Sequence, residues 1–213
     1  MPLPATDLFT ESGGSPVALT TYSANWTVST GNFMVDNAAD NVYPNSSGAE
    51  IGAFWNVDTF NADQFSQVIL SSLTAGVALG PCVRAATGGT YYGVYMEGST
   101  YYLFRMNSGT WTQLATGTES WTDGDPLRLD VSGTGATVSL VMKHNGTQFG
   151  STYNDNSGSR LLSGSAGICG YGDSSTPRLD NWQGGNLSGG GGVTLVQVER
   201  GRTLLRGLGR GLI

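Results

Sequence analysis

The sequence predicts an all-β protein organised as a sandwich or a barrel. Strand-like runs recur about every dozen residues and are separated by clusters of Gly, Asn, Asp and Ser. Charged residues make up only 12% of the chain, about half the usual fraction, while hydrophobic residues reach 38% and aromatic residues 10%. This composition supplies enough apolar surface for a folded core and many residues suited to turns. At 213 residues, a single large β domain is the simplest organisation.

The strands are predicted from short β-branched and aromatic runs, each bounded by turn residues. One run, QFSQVILSSL, also fits a helical period of 3.6 residues, and we assign it as a strand. In chain order the predicted strands are NWTVST, NFMVDN, IGAFWNV, FSQVILSS, CVRAA, TYYGVYME, TYYLFRMN, TWTQLAT, LRLDVS, TVSLVMKHN, TQFGSTYN, AGICGYG and RLDNWQ.

Two hairpins are expected. Asn145-Gly146 is a strong signal for a type I′ turn. The turn at 97–100 places Met96 opposite Tyr101 and divides the flanking strands into two faces. We expect the face that contains an arginine to point outward or towards a ligand: Tyr92, Val94, Met96, Tyr101, Leu103 and Arg105. We expect the other face to be core: Tyr91, Gly93, Tyr95, Tyr102, Phe104 and Met106.

Charge is distributed unevenly. Residues 1–186 hold six basic and fifteen acidic residues, a net charge of −9, whereas residues 187–213 hold four arginines and one glutamate, a net charge of +3. An acidic body with Lys143 as its only lysine argues against nucleic acid as a partner. The N-terminal residues lack the pattern of a secretory signal, and no run approaches the roughly 20 apolar residues of a membrane span. We therefore expect no membrane partner.

The order of segments resembles a known family. DLFTE, NWTV, ADQF, CVRAA, YYLFRMNSGTWTQLATG, DPLRLDVSGTGATVSLVMKHNG and SAGICGYG followed by RLDNWQGG resemble, in order and spacing, the concanavalin A-like jelly roll. The resemblance is to the laminin-G-like branch found in carbohydrate-binding proteins and in phage or bacterial surface proteins. It implies a two-sheet antiparallel jelly-roll sandwich over residues 1–186, with the first and last strands adjacent. It also implies calcium as a candidate ligand at Asp7 and Asp180, although isolated aspartates more often form turns or caps.

The sequence shows no catalytic signature. Glycoside hydrolases of this fold place two carboxylates close together, usually as Glu-x-Asp-x-x-Glu, and that pattern does not occur here. Asp123 and Asp125 are interpreted as turn residues. His144, the only histidine, precedes the Asn145-Gly146 turn, so we expect it at an exposed hairpin tip without a catalytic role. The prediction is a protein that is not an enzyme and needs no cofactor.

Aromatic residues are the remaining candidates for binding, because sugar C–H faces stack on aromatic rings. The predicted glycan-binding residues are Trp55, Tyr92, Tyr101, Arg105, Trp111 and Trp121, and the alternative is that most of these rings belong to the core. Cys82 and Cys169 fall in predicted buried strands, and we interpret them as two buried thiols. The two cysteines could form a disulfide only if their strands are neighbours.

The C-terminal segment is interpreted as an anchor. Residues 187–192 form a Gly-rich linker, and residues 193–213 are basic, apolar and interrupted by glycines that disfavour a helix in water. Such a segment is expected to become ordered against a partner; the alternative is a cloning remnant or the start of another domain. The predicted anchoring residues are Val196, Val198, Arg202, Leu204, Leu205, Arg206, Leu208 and Arg210.

Together these features favour a non-enzymatic virion structural protein, a phage capsid decoration or fibre subunit that is made in the host cytoplasm. It is expected to be homo-oligomeric, to attach to other virion or assembly proteins through residues 193–213, and to be a candidate for binding surface glycans. The alternative is a carbohydrate-binding or glycoside-hydrolase-like domain of a bacterial surface protein, located outside the cell or at its surface.

Overall fold

Two antiparallel sheets enclose the main core of the computed structural model, which describes residues 3–10, 14, 16–36 and 38–187. The Gly-rich linker beyond Leu187 and the anchoring segment 193–213 lie outside the described residues. In chain order the elements are β1 (Ala5–Asp7), β2 (Val17–Ala18), α1 (Leu19–Tyr22), β3 (Trp26–Thr30), β4 (Phe33–Asp36), β5 (Asn41–Trp55), β6 (Gln64–Ser71), β7 (Ala78–Ala86), β8 (Thr90–Glu97), β9 (Thr100–Asn107), β10 (Thr110–Thr118), β11 (Asp125–Ser132), β12 (Val138–His144), β13 (Thr147–Asp155), β14 (Ser165–Asp173) and β15 (Arg178–Asn186).

The long strand β5 belongs to both sheets. Its first residues pair with β4 and β15, and its later residues pair with β14 and β3. Sheet I has the order β10-β9-β8-β7-β14-β5-β3. Sheet II has the order β2-β4-β5-β15-β6-β11-β12-β13, and β1 also pairs with β15. The predicted antiparallel sandwich is confirmed.

The local predictions that depended on turns and periodicity are confirmed. Met96 pairs with Tyr101 in the β8–β9 hairpin. Asn145 and Gly146 have φ values of 51° and 77°, as a type I′ turn requires. The first eight residues of QFSQVILSSL form strand β6, Gln64–Ser71. The first and last strands are adjacent, because Asp7 on β1 pairs with Trp182 on β15.

Strand β5 is much longer than predicted. Only IGAFWNV was expected, but the strand begins at Asn41 and includes the polar run before Ile51. Pro44 and Gly48, which disfavour a strand in isolation, lie where β5 passes from sheet II to sheet I. Gly48 has a φ of 65°, a conformation that glycine adopts without strain. The turn-like composition therefore marks a corner of the sandwich.

Three tryptophans lie at the centre of the core between the sheets. Trp26, Trp55 and Trp182 have ring centroids 4.8 to 5.5 Å apart. Each indole N–H donates a hydrogen bond: Trp26 to Asp7 at 2.8 Å, Trp182 to Ser66 at 2.9 Å, and Trp55 to Asp58 at 2.7 Å. Because its indole N–H groups have acceptors, this cluster can be buried at little cost.

The two cysteines are separate buried thiols, as predicted. Cys82 on β7 and Cys169 on β14 lie on neighbouring strands, yet no disulfide joins them. The thiol of Cys82 donates to the carbonyl of Ile168 at 3.3 Å. Burial raises the pKa of both thiols well above its usual value, so they are protonated and unreactive at neutral pH.

Candidate functional site

The two faces of sheet I are opposite to the sequence-based assignment. Tyr92, Val94 and Leu103 belong to the core between the sheets, whereas Tyr95 and Phe104 belong to a second apolar cluster on the other face of sheet I. The expectation that the arginine-bearing face points outward is therefore wrong. The physical reason is that the charge of Arg105 is neutralised inside the protein.

Arg105 is held by partners on and beside β13. Its guanidinium donates to Asp155 at 2.6 Å and to Ser157 at 2.7 Å. Tyr92 donates from its hydroxyl to the same carboxylate at 2.7 Å, and that hydroxyl accepts a hydrogen bond from the backbone N–H of Leu161 at 2.9 Å. This buried network uses the polar atoms of Tyr92 and Arg105 to connect the two sheets.

Four of the predicted glycan-binding residues are thus buried. Trp55 is 2% exposed, and its indole lies in the tryptophan cluster. Tyr101 packs in the same core with its ring 5.3 Å from that of Phe149. With Tyr92 and Arg105, they offer no surface on which a ligand could stack. Of the predicted set, Trp111 and Trp121 each border a cleft.

The outer face of sheet I is covered by aromatic rings that lie across very small residues. A Cβ atom added to Gly52 would be only 2.5 Å from the ring of Tyr91, and one added to Gly93 would be 2.5 Å from the ring of Phe104. Glycine at these positions lets rings from other strands of the sheet lie close against it. The apolar cluster on this face therefore needs no third layer of structure to bury it.

An open cleft of about 300 Å³, which we call the aromatic cleft, lies on this face. It is lined by Glu50, Tyr95, Glu97, Tyr102, Trp111 and Tyr171. Trp111 is 37% exposed, and its ring is stacked on Phe104 at 6.0 Å between centroids with an interplanar angle of 24°. The ring of Tyr95 lies 4.7 Å from Phe104 and 5.7 Å from Tyr102. The exposed rings are therefore supported from beneath by buried ones.

Two carboxyl groups border these rings. Glu50 on β5 accepts a hydrogen bond from the hydroxyl of Tyr95 at 3.3 Å through Oε1. Its Oε2 is buried, and within the described residues it has no hydrogen-bond partner. Burial raises the pKa of Glu50 to about 7, and the Tyr95 hydrogen bond offsets this only in part. Glu97 at the end of β8 accepts from the backbone N–H of Gly76 at 2.7 Å.

A second cleft, which we call the loop cleft, lies at the ends of β6 and β8. Its volume is about 430 Å³, and it is lined by Ser72, Leu73, Gly98, Ser99, Trp121 and Asp123. Asp123 accepts a hydrogen bond from the backbone N–H of Ser72 at 2.8 Å and so joins the β10–β11 loop to the loop that follows β6. Trp121 is thus the one predicted ring at this cleft, separate from the rings of the aromatic cleft.

His144 is not the exposed tip residue that the sequence suggested. Its side chain is only 15% exposed, and its ring is stacked on Trp121 at 4.2 Å. Nδ1 lies 2.8 Å from Glu119, and Nε2 lies 2.9 Å from Asp125. Burial by itself would lower the pKa of His144, but the two carboxylates outweigh it and the pKa is raised.

Asp125 also organises its own loop. It accepts hydrogen bonds from the side chain of Asn145 and from the backbone N–H of Thr122, each at 2.9 Å. These bonds, together with that to His144, lower the pKa of Asp125 to about 2. The carboxylate is therefore charged over the whole neutral range, and the arrangement joins the β10–β11 loop to the β12–β13 turn.

The two predicted calcium ligands have other roles. The carboxylate of Asp7 accepts hydrogen bonds at 2.8 Å from the backbone N–H of Phe9, the hydroxyl of Tyr22 and the indole of Trp26. Asp180 accepts from the backbone and the side chain of Asn181. Among the described residues, no group of three or more His, Cys, Asp or Glu side chains could hold a metal ion. Asp7 is a structural acceptor in the core.

No helix in the described part of the chain has the length and the apolar character needed to cross a bilayer. The search against protein-family models found no match. The search of curated proteins found none either.

Solved structures do share the architecture. The carbohydrate-binding module CBM66 from Bacillus subtilis is 12% identical, with a TM-score of 0.51 over 76% of this chain and 92% of that one. A protein of unknown function with a galectin-like fold from the same organism is 11% identical, with a TM-score of 0.52 over 78% and 91%. The Ca²⁺-bound exoplasmic/lumenal domain of VIP36 is 12% identical, with a TM-score of 0.50 over 79% and 86%. At such low identity, these similarities establish the fold alone: this chain has a concanavalin A-like jelly-roll fold.

Proposed function

We propose that residues 1–186 form a non-catalytic carbohydrate-binding domain and that the aromatic cleft is its binding surface. One observation carries the proposal: the rings of Trp111, Tyr102, Tyr95 and Tyr171 border an open cleft beside two carboxyl groups. Apolar C–H faces of a sugar stack on such rings, and carboxylates accept hydrogen bonds from its hydroxyls. Similarity in fold to a carbohydrate-binding module and to a galectin-like protein supports the same interpretation.

The cleft is preorganised for a rigid ligand. Phe104 is buried and holds the ring of Trp111 by stacking, while Tyr95 is fixed by its hydrogen bond to Glu50. Side chains already held in place lose little entropy when a ligand binds. The cleft is also open, so it suits a terminal or internal unit of a polysaccharide more than an enclosed small molecule.

The proposal is tested by binding of the full chain to immobilised polysaccharides. The panel contains glucan, xylan, mannan, chitin and chitosan, and the same panel is applied to the variant Trp111→Ala. We expect retention on at least one polysaccharide and loss of that retention in the variant. A folded wild-type protein that is retained on none of them would overturn the proposal.

A glycoside hydrolase activity is the second candidate, and one observation favours it. Glu50 is a partly buried carboxyl group with a pKa of about 7, which is the property of a general acid. Glu97 borders the same cleft as a second carboxyl group. Release of reducing ends from a bound polysaccharide, abolished by Glu50→Gln, would establish hydrolysis. Stable binding of the polysaccharide without release of reducing ends would mean that the domain binds its ligand and does not hydrolyse it.

We also propose that the chain is a subunit of a larger assembly, such as a phage capsid decoration or fibre, held there by residues 193–213. The support is the sequence of that segment, which is basic, apolar and unable to form a stable helix alone. The aromatic cleft is on sheet I, whereas β15, which precedes the segment, is in sheet II. The strand that leads into the segment and the cleft therefore belong to different sheets.

The assembly proposal is tested with the full chain and a chain that ends at Leu187. The mass of each in solution is measured by light scattering over a range of concentrations. We expect oligomers only with the full chain. Monomers in both cases, together with failure of the full chain to join purified particles, would contradict the proposal.

A further inference from the structure

The aromatic cleft is acidic, and no described residue that lines it is basic. Glu50 and Glu97 supply the charge, while the other lining residues are Tyr95, Tyr102, Trp111 and Tyr171. The face of an aromatic ring carries partial negative charge and attracts cations. The rings and the carboxyl groups therefore favour the same kind of ligand group.

Every lysine and arginine in the described part of the chain has partners away from the cleft. Four of them pair with aspartates of the core or of sheet II: Arg105 with Asp155, Arg128 and Lys143 with Asp130, and Arg178 with Asp36. The other two donate to backbone carbonyls, Arg84 to those of Ala62, Leu161 and Gly133, and Arg160 to those of Gly135 and Ser157. The negative potential of the cleft is thus left for a ligand to neutralise.

Glu50 offers an acceptor that the protein itself does not use. Its Oε1 is bonded to Tyr95, but its buried Oε2 has no partner among the described residues. A buried carboxylate oxygen without a donor is costly, and a ligand that supplies an N–H would remove that cost. Glu97, fixed by the backbone of Gly76, adds a second negative charge at the rim.

We propose that the sugar bound in the aromatic cleft carries a free amino group, whose ammonium donates to Glu50 while the sugar ring stacks on the exposed tryptophan. This inference rests on the proposed carbohydrate-binding function and names its ligand class, an amino sugar such as glucosamine. A basic peptide would satisfy the carboxylates, but it would make less use of the broad, supported surface of Trp111.

The ionisation of Glu50 supports an amino sugar as the ligand. Without ligand its pKa is about 7, because burial disfavours the charged form. The groups that face it on one side are Tyr95, which donates to it, and the neutral Tyr91 and Cys169, whose own pKa values it raises. Tyr171 lies opposite it on β14, and Glu97 and Tyr102 line the same cleft. An ammonium next to Glu50 favours the carboxylate, so affinity for an amino sugar should increase as pH rises from 5 towards about 7. An uncharged sugar should show no such dependence.

The test compares two oligosaccharides that differ only in whether the amino group of each sugar unit is free or acetylated: the hexamer of glucosamine and the hexamer of N-acetylglucosamine. Each is titrated calorimetrically into the full chain at pH 7, with trilysine as a probe of charge alone. We expect the glucosamine hexamer to bind about tenfold more tightly than its acetylated counterpart. Glu50→Gln, which keeps the shape of the side chain, should remove that preference.

Two controls keep the result interpretable. Glu97→Gln removes the other negative charge of the aromatic cleft without changing a buried group. It should reduce the preference for the glucosamine hexamer less than Glu50→Gln does. Asp40→Asn removes an exposed charge between β4 and β5 in sheet II and should have no effect. The melting temperature of each variant verifies that it is folded.

The outcomes separate the inference from the function on which it rests. The inference is overturned if the glucosamine hexamer binds no more tightly than the N-acetylglucosamine hexamer. If any polysaccharide of the panel is still bound, the carbohydrate-binding function stays in place. Trilysine binding as tightly as the glucosamine hexamer would also overturn the inference, because charge alone would then account for recognition. Failure to bind any glycan overturns both.

Discussion

Replacing Trp111 with alanine is the most direct test of the aromatic cleft. The side chain is 37% exposed, and a tryptophan offers up to roughly 250 Å² of surface, so about 90 Å² is free for a ligand. At about 25 cal/mol per Å², covering that area is worth about 2 kcal/mol. Because an open cleft lets a ligand cover only part of it, we expect Trp111→Ala to weaken binding about tenfold.

The same substitution has a predictable effect on stability. Trp111 is stacked on Phe104 at 6.0 Å, and an aromatic pair of this kind contributes about 1 kcal/mol beyond its buried area. Roughly 160 Å² of the side chain is also buried and is worth about 4 kcal/mol at about 25 cal/mol per Å², so we expect the free energy of unfolding to fall by about 3 to 5 kcal/mol in total. Urea denaturation measures this loss, and calorimetric titration with the glycan retained in the panel measures affinity.

Trp121→Ala is the matched control, because it removes the same type of side chain from the loop cleft. Its ring is stacked on His144, so the variant also loses one aromatic contact. We expect it to keep wild-type affinity. If Trp111→Ala binds as the wild type does while Trp121→Ala does not, the glycan site is the loop cleft, and our reasoning from the rings of sheet I is refuted.

Three further predictions concern stability. The raised pKa of His144 means that its pairing with Glu119 stabilises the fold below the unfolded pKa of about 6.5. That contribution is lost as pH rises through the raised folded-state pKa, so His144→Gln should cost about 1 kcal/mol more at pH 5.5 than at pH 8.5 in urea denaturation; equal costs would contradict this. Gly93→Ala should destabilise by about 2 kcal/mol in the same assay, since its Cβ would lie 2.5 Å from Phe104, and a neutral result would mean that the ring can move aside. Asp155→Asn should cost about 3 kcal/mol because it leaves the buried guanidinium of Arg105 without its counter-charge, and thermal unfolding unchanged from the wild type would exclude that role.

The sequence predicts the β8–β9 hairpin of sheet I but assigns its two faces the wrong way round. Alternation shows which residues share a face, and the pairing of Met96 with Tyr101 follows from the turn alone. It does not show which face is inside when both are apolar. The charge of Arg105 predicts an outward face, but its counter-ion Asp155 is 50 residues further along the chain. A charge points outward only if no distant residue neutralises it, and local sequence carries no such information.

The same limitation applies to the candidate site. Trp111 could be chosen from the sequence as an aromatic residue in a predicted strand, but Glu50 could not. It lies in a polar run that resembles a turn, and it comes to the cleft because β5 pairs with β14 and places it opposite Tyr171. The position of His144 beside a hairpin turn predicts that it is exposed, whereas the β10–β11 loop folds over it and supplies Glu119. In each case the missing information was a long-range contact.

The shape of the aromatic cleft connects the two parts of the proposed function. A cleft of about 300 Å³ that is open to solvent and has one well-exposed ring can bury only a small part of a polysaccharide. A single domain should therefore bind weakly, whatever the identity of the sugar. Several copies held together by residues 193–213 would engage neighbouring units of one polymer, and the effective concentration would increase avidity by about 10² or more. Weak binding by the chain that ends at Leu187, with strong binding by the assembled chain, is the behaviour that this arrangement requires.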